Sequence, residues 1–156
     1  MFITECKTGL KTEVYIEPVT PKELRGIIKT KRFRFDWKRE IEHEVFKLGI
    51  TKTGLIIGLL SLVYFADERW IKINLLESSV ENVGKDKEYD RIAGCLIAFA
   101  CSLSFMKGYD GVVALKPKTE LAAHYIRKYH FEIGGMHLYT ELRNSESLIT
   151  EYLREL

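Results

Sequence analysis

Tyr89-Asp90-Arg91-Ile92-Ala93-Gly94-Cys95-Leu96 opens a stretch that carries no charge from Ile92 to Met106. A glycine one turn into an apolar helix leaves backbone N–H groups uncovered, and the positive end of the helix dipole points the same way. That combination suits an anion, best of all a pyrophosphate lying across the helix start. A short apolar strand at 70–76 runs through a polar loop into this segment, so the spacing predicts strand, loop and helix N-terminus in succession.

The other chemically capable residues are less informative. His43, His124, His130 and His137 have no metal-ligand spacing with cysteines or carboxylates, and no metal is expected. Cys6, Cys95 and Cys101 are an odd set without framework spacing. Cys95 and Cys101 lie within the apolar helix and read as small buried residues in a reducing compartment. Residues 29–39 interleave cations with aromatics, a pattern that binds single-stranded nucleic acid by stacking on bases and neutralising phosphates. Period two explains the same aromatics more simply, with Phe33, Phe35 and Trp37 inward and Arg34, Asp36 and Lys38 outward on an extended segment. Nucleic acid is therefore not the favoured partner.

The elements that must position these residues fit one domain over 1–156, long enough to bury a core. Hydrophobic residues at 46% and charged residues at 29% describe a soluble globular chain and argue against disorder. The net charge of +2 decides nothing about partners, although 22–39 carries eight Lys/Arg against two acids. Residues 1–5 lack a charged segment leading into an apolar one. The longest uncharged run, 15 residues, is short of the roughly 20 that span a bilayer, so a cytoplasmic protein without membrane partners is expected.

A strand is predicted at 13–17, then a helix to about 29, opened by Thr20 as cap, Pro21 at the first position and Glu23 at the third. Strands at 45–51, 55–65 and 70–76, joined by tight turns, make an antiparallel meander. The buried helix at 90–107 follows, then a strand at 112–115, a helix at about 119–129 and one strand or a kinked pair at 131–142. A final helix at 145–156 places Leu148, Ile149, Tyr152, Leu153 and Leu156 on one face, which leaves room for a homodimer. The meander followed by β-α-β-α-β and a C-terminal helix implies an α/β protein with a mixed sheet covered by helices.

Arg91-Ile92-Ala93-Gly94-Cys95-Leu96 resembles the Arg/Gln-x-x-Gly-x-Gly/Ala loop of the GCN5-related N-acetyltransferase superfamily, and the element order agrees over nearly the whole chain. Leu96 stands where that loop normally has a small residue. The resemblance implies an acyl-CoA N-acyltransferase-like fold with acetyl-CoA as co-substrate and an amine acceptor, attacked directly in a ternary complex. It implies that Arg91, Ile92, Ala93, Gly94, Cys95 and Leu96 hold the pyrophosphate. Leu75 and Leu76 would meet the pantetheine, in a V between the strand before the loop and the strand after the buried helix. Glu77, at the end of the first strand, is the expected base.

The expected acid is Tyr125, preferred over Tyr129. Relatives carry a Tyr in a motif like Leu-Tyr-x-Lys-x-Gly-Phe; 124–131 stands in its place here, with Phe131 at its end, His130 in place of the Gly and Tyr125 one residue before the usual Tyr position. The acceptor is left open among a small molecule, a peptide and an aminoacyl-tRNA, a basic wall at 29–39 suiting an anionic one. Two alternatives stand beside this reading: a non-catalytic CoA-binding or protein-interaction module of the same fold, and a small RNA-binding protein using 29–39.

Overall fold

The computed structural model of the chain describes residues 1–117 and 121–154. It begins with β1 (Phe2–Glu5), β2 (Lys11–Val19) and α1 (Pro21–Lys29), then a short 3-10 helix at Trp37–Glu40. The meander β3 (Glu44–Ile50), β4 (Ile56–Phe65) and β5 (Trp70–Ser78) follows, then a second 3-10 turn at Val80–Asn82 and β6 (Tyr89–Asp90). The rest is α2 (Ile92–Met106), β7 (Val113–Leu115), α3 (Ala122–Tyr129), β8 (Glu132–Gly134), β9 (His137–Thr140) and α4 (Leu142–Tyr152).

Among the described residues these strands form one nine-stranded sheet in the order β6-β1-β2-β3-β4-β5-β7-β9-β8. β5 and β7 run parallel, and the other neighbouring pairs are antiparallel. This is the mixed α/β fold that the element order implied.

The helices divide between the two faces according to their composition. α2 is apolar on every side, which a helix tolerates only when it is enclosed. Cys95, Leu96, Ile97, Ala98, Ala100 and Cys101 are fully buried between the sheet and its neighbours, with Leu148 and Tyr152 of α4 in the same core. On the opposite face Leu24 and Ile27 of α1 join Phe33, Trp37, Val45 and Leu59 in a second, smaller core. α1 starts as its sequence specifies, with Thr20 Oγ1 accepting the Glu23 N–H at 3.1 Å and Pro21 in the first turn.

Several boundaries differ from expectation. Residues 33–37 are not a strand with three inward aromatics: Phe33 and Trp37 are buried, Phe35 is 45% exposed, and a 3-10 helix begins at Trp37. β1 and the two-residue β6 carry too short an alternation to read, and each pairs with the other at the sheet edge. Residues 131–142 resolve into the hairpin β8–β9, turned through Gly135 at φ 63°. α4 begins three residues before Ser145. The expected start of α3 at 119 and the last two residues of the chain, Leu156 among them, lie outside the described residues.

β5 departs from its neighbours at one end. It pairs with β7 only through Ile71, Lys72 and Ile73, opposite Val113, Ala114 and Leu115. Among the described residues nothing pairs with 74–78 on that edge, so the two strands part there. On its other edge Leu62 faces Ile73 while Ser61 faces Leu75, which leaves Asn74 as the extra residue of a β-bulge. A bulge inverts the facing of everything after it. Ile73 and Leu76 consequently belong to the α2 side, and Leu75 to the α1 side.

Candidate functional site

A cleft of about 520 Å³ opens where β5 parts from β7. Its walls are the end of β5 (Leu76, Glu77, Ser78), the start of α2 (Asp90 to Ala93), the loop 79–88 and one side of α3 (Leu121, His124, Lys128, Tyr129). The first α2 hydrogen bond runs from the Cys95 N–H to the Arg91 carbonyl at 3.0 Å. The N–H groups of Ile92, Ala93 and Gly94 precede it and have no intrahelical acceptor, and they add to the positive end of the helix dipole.

The six residues of the motif divide by direction. Ile92 and Leu96, one turn apart, both lie against Gly58 of β4, so the Leu96 side chain is turned into the sheet and leaves the helix start uncrowded. Cys95 is buried, with Sγ 3.6 Å from the Phe2 carbonyl oxygen, and burial pushes its thiol up to about 11. Gly94 faces α4: a Cβ there would overlap the Tyr152 ring, so the glycine is required by helix packing. Ile92 and Ala93 line the cleft from the first turn.

Arg91 departs most from expectation. Its backbone is left-handed, φ 81° and ψ 0°, and its N–H donates to Asp90 Oδ1 at 2.9 Å. Its guanidinium turns away from the cleft, lies over the Phe2 and Tyr152 rings, and donates to the carbonyls of Phe2 at 3.2 Å and Glu151 at 2.7 Å. It fastens β1 and α4 to the start of α2. The peptide groups that follow it, not its own side chain, are what an anion would meet.

Glu77 follows the bulge onto the α1 side, where it is 6% exposed. Its Oε2 accepts the Arg34 N–H at 2.6 Å, and its Oε1 accepts the Phe35 N–H at 3.1 Å and the Trp37 indole N–H at 2.8 Å. The carboxylate thus anchors the segment that roofs this end of the sheet, and one edge of it still reaches the cleft. Leu76 lines the cleft, whereas Leu75 packs into the α1-side core, its backbone on the stretch of β5 that β7 does not pair.

Tyr125 is not brought to the cleft. Its ring packs edge-on to Phe131 at 5.8 Å in the α2-side core, and burial raises its pKa. Tyr89 and Tyr129 line the cleft; burial keeps the phenol of Tyr129, one turn on from Tyr125, protonated well beyond neutral pH.

The loop 79–88, with no assignable role in the sequence, is an ordered wall. Asn82 Nδ2 donates to Ser79 Oγ at 3.0 Å and Asn82 Oδ1 accepts the Tyr89 N–H at 2.9 Å. Glu81 pairs with Arg32, which also donates to the Ile56 carbonyl at 2.7 Å. The loop brings in Lys87, and α3 brings in Lys128 and His124. His124 is kept neutral by burial first and by Lys128, Arg127 and Lys87 after it. No spacing signal joins Lys87 to His124 and Lys128, because the loop and α3 are different walls. Among the described residues no group of His, Cys, Asp and Glu is placed to hold a metal, and no helix is long and apolar enough to cross a membrane.

No protein-family model and no curated protein matches the sequence. Solved structures do. The spermidine N-acetyltransferase SpeG from Vibrio cholerae matches with TM-score 0.61 at 15% identity, over 90% of this chain and 96% of that one. A GNAT family acetyltransferase from Brucella melitensis in complex with acetyl-CoA matches at 0.57 and 12%, over 83% and 88%. AtaT complexed with acetyl-methionyl-tRNAfMet matches at 0.57 and 12%, over 87% and 99%. At these identities the likeness is one of fold.

Proposed function

Starting from a chain that has the GCN5-related N-acetyltransferase fold, we propose that it binds acetyl-CoA or another acyl-CoA and transfers the acyl group to an amine. Transfer is by direct attack of the amine on the thioester in a ternary complex, without a covalent enzyme intermediate. The observation that carries this reading is the parting of β5 from β7 beside the uncovered α2 amides. A split strand pair leaves N–H and C=O groups that an amide-bearing ligand satisfies. The backbone of Leu75 and Leu76 takes the pantetheine amides, and the N–H groups of Ile92, Ala93 and Gly94 take the pyrophosphate.

The amine must arrive neutral, and the leaving thiolate needs a hydrogen-bond donor. Glu77 is the carboxylate at the mouth of the opening; with three N–H donors on it, it acts on the amine through water. Tyr129, protonated and in the cleft wall, replaces Tyr125 as the phenol facing the thiolate. The acceptor is a small molecule, a peptide or an aminoacyl-tRNA. Arg34 on the cleft wall favours an anionic one, and the AtaT likeness adds weight to the RNA-linked class. A preference for neutral or cationic amines in an acceptor screen would count against that choice. The setting is cytoplasmic, where acyl-CoA is available and the exposed Cys6 stays reduced.

Calorimetric titration with acetyl-CoA, beside a thermal-shift series with free CoA, tests the reading. Saturable binding supports it, and absence of binding to both overturns it. A non-catalytic module of the same fold is the second reading, favoured by the anchoring role of Glu77 and the core position of Tyr125. Tight coenzyme binding without turnover on any amine would select it. RNA binding by 29–39 alone loses support, because Phe33 and Trp37 are buried and Arg32 is committed to Glu81 and Ile56.

A further inference from the structure

Asp90 places a negative charge where the cleft is shaped to receive one. Its Oδ1 accepts the Arg91 N–H at 2.9 Å and a proton of Lys87 Nζ at 2.9 Å, and it stands 3.8 Å from Lys128 Nζ. Lys87 comes from the loop 79–88 and Lys128 from α3, so one carboxylate ties two walls of the cleft to the start of α2. Burial of this carboxyl opposes its ionisation, but the hydrogen bonds from Lys87 and the Arg91 N–H and the charge of Lys128 outweigh it and hold it below its ordinary value. Asp90 is therefore charged at neutral pH, and the two lysine ammonium groups of the cleft lining are already engaged.

We propose that Asp90 is a specificity-determining residue: an internal anion that an incoming phosphate must displace from Lys87 and Lys128, so that the cleft accepts pyrophosphate esters and discriminates against single phosphates. The inference rests on the acyl-CoA reading of the cleft. A single phosphate at the start of α2 exchanges one anion for another beside a like charge that stays close, and gains little. A pyrophosphate takes over the lysines with one phosphoryl group while the other meets the N–H groups of Ile92, Ala93 and Gly94, and its gain survives the repulsion. The simpler role, in which Asp90 only braces the left-handed turn at Arg91, needs the oxygen and not the charge. Asparagine separates the two, because its Oδ1 still accepts the Arg91 N–H.

The test compares CoA with phosphopantetheine, and inorganic pyrophosphate with inorganic phosphate, by calorimetry at one fixed salt concentration. The proteins are the wild type, Asp90→Asn and Asp90→Ser, each checked for a single cooperative melting transition well above the assay temperature. The serine variant keeps a short acceptor in case the asparagine fails to fold. In Asp90→Asn the ligands with an isolated phosphate are expected to gain about tenfold in affinity, which is about 1.4 kcal/mol, and the pyrophosphate-bearing ones less, so both ratios contract. Lys87→Gln is expected to cost more in the Asp90→Asn background than alone, since only there does a ligand reach the lysine without first displacing a carboxylate.

Ratios unchanged within twofold, or additive Lys87 and Asp90 effects, would overturn the role of Asp90 while leaving acyl-CoA binding intact. Loss of CoA binding in every protein would instead remove the acyl-CoA reading. The inorganic pair then decides whether Asp90 selects anions at all, and equal ratios in wild type and variant would end the proposal.

Discussion

Trp37 donates its indole N–H to Glu77 Oε1 at 2.8 Å, joining residues 40 apart in sequence at the point where β5 leaves β7. The same carboxylate holds the N–H groups of Arg34 and Phe35, so the segment that roofs the opening hangs on one side chain. Its form is set by that acceptor more than by its own alternation of aromatic and charged residues.

Glu77→Ala leaves those donors without an acceptor and is expected to destabilise the protein by about 3 kcal/mol or more. Glu77→Gln, which keeps one acceptor but turns an amide N–H toward a donor, is expected to cost about 2 kcal/mol. Urea denaturation measures both. Turnover per folded molecule then tells anchoring from catalysis: an anchoring residue lowers the folded fraction, and a base lowers kcat.

Arg91→Ala removes two hydrogen bonds to carbonyls and the stacking on Phe2 and Tyr152. A loss of about 1–3 kcal/mol in stability is expected, with acetyl-CoA affinity changed less than threefold, an order-of-magnitude bound that follows from a guanidinium pointing away from the ligand. Denaturation and calorimetry on the same preparation check the pair. A large affinity loss with unchanged stability would contradict the assignment.

Gly94→Ala drives a methyl group into the Tyr152 ring and is expected to cost about 2 kcal/mol through overpacking between α2 and α4. In a Tyr152→Leu background the obstacle is gone, and the same alanine is expected to cost well under half as much. A thermal double-mutant cycle reads the coupling directly. Equal penalties in both backgrounds would return Gly94 to the ligand side.

Thiol reactivity separates the cysteines. Burial pushes Cys95 up to about 11 and Cys101 up to about 12, so neither supplies thiolate at pH 8, whereas Cys6 is exposed. A disulfide reagent is expected to modify Cys6 rapidly in the native protein and the other two only after unfolding.

Acid stability follows from two carboxylates. Asp90 and Glu81 both suffer burial that opposes ionisation, outweighed for Asp90 by Lys87 and the Arg91 N–H and for Glu81 by local hydrogen bonds and Arg32. Their folded-state values lie below the ordinary 3.8 and 4.5. Their contribution is therefore complete above those ordinary values and is lost as pH falls through the depressed ones. Denaturant midpoints should hold from neutrality to about pH 5 and decline below it, with a shallower decline in Asp90→Asn.

What the sequence carried was whatever a local pattern can encode. The start of α1 was written in Thr20, Pro21 and Glu23, and the burial of α2 in its unbroken apolar composition. The order of meander and alternating elements reached the right fold. Nothing local announced that Leu96 would turn toward Gly58 or that the Arg91 guanidinium would reach β1 and α4, since both depend on residues remote in the chain. Tyr125 and Tyr129 share a helix, and only the packing of α3 against Phe131 decides which of them meets the cleft. Lys87, Asp90 and Lys128 converge from three segments, and no spacing rule joins them.

The extra residue at Asn74 has a consequence for how this end of β5 tolerates change. Deleting that residue would bring β5 into unbroken register with β4 and leave Glu77 opposite Leu59 on the α1 side, with loss of the hydrogen bond from Asn74 Nδ2 to Glu40 Oε1. Substitutions at 74 leave the pairing in place and act on the hydrogen bond to the buried Glu40. The side of the sheet on which the carboxylate acts is thus fixed by its pairing with β4, and strict alternation counted from Ile71 and Ile73 would assign it to the opposite face.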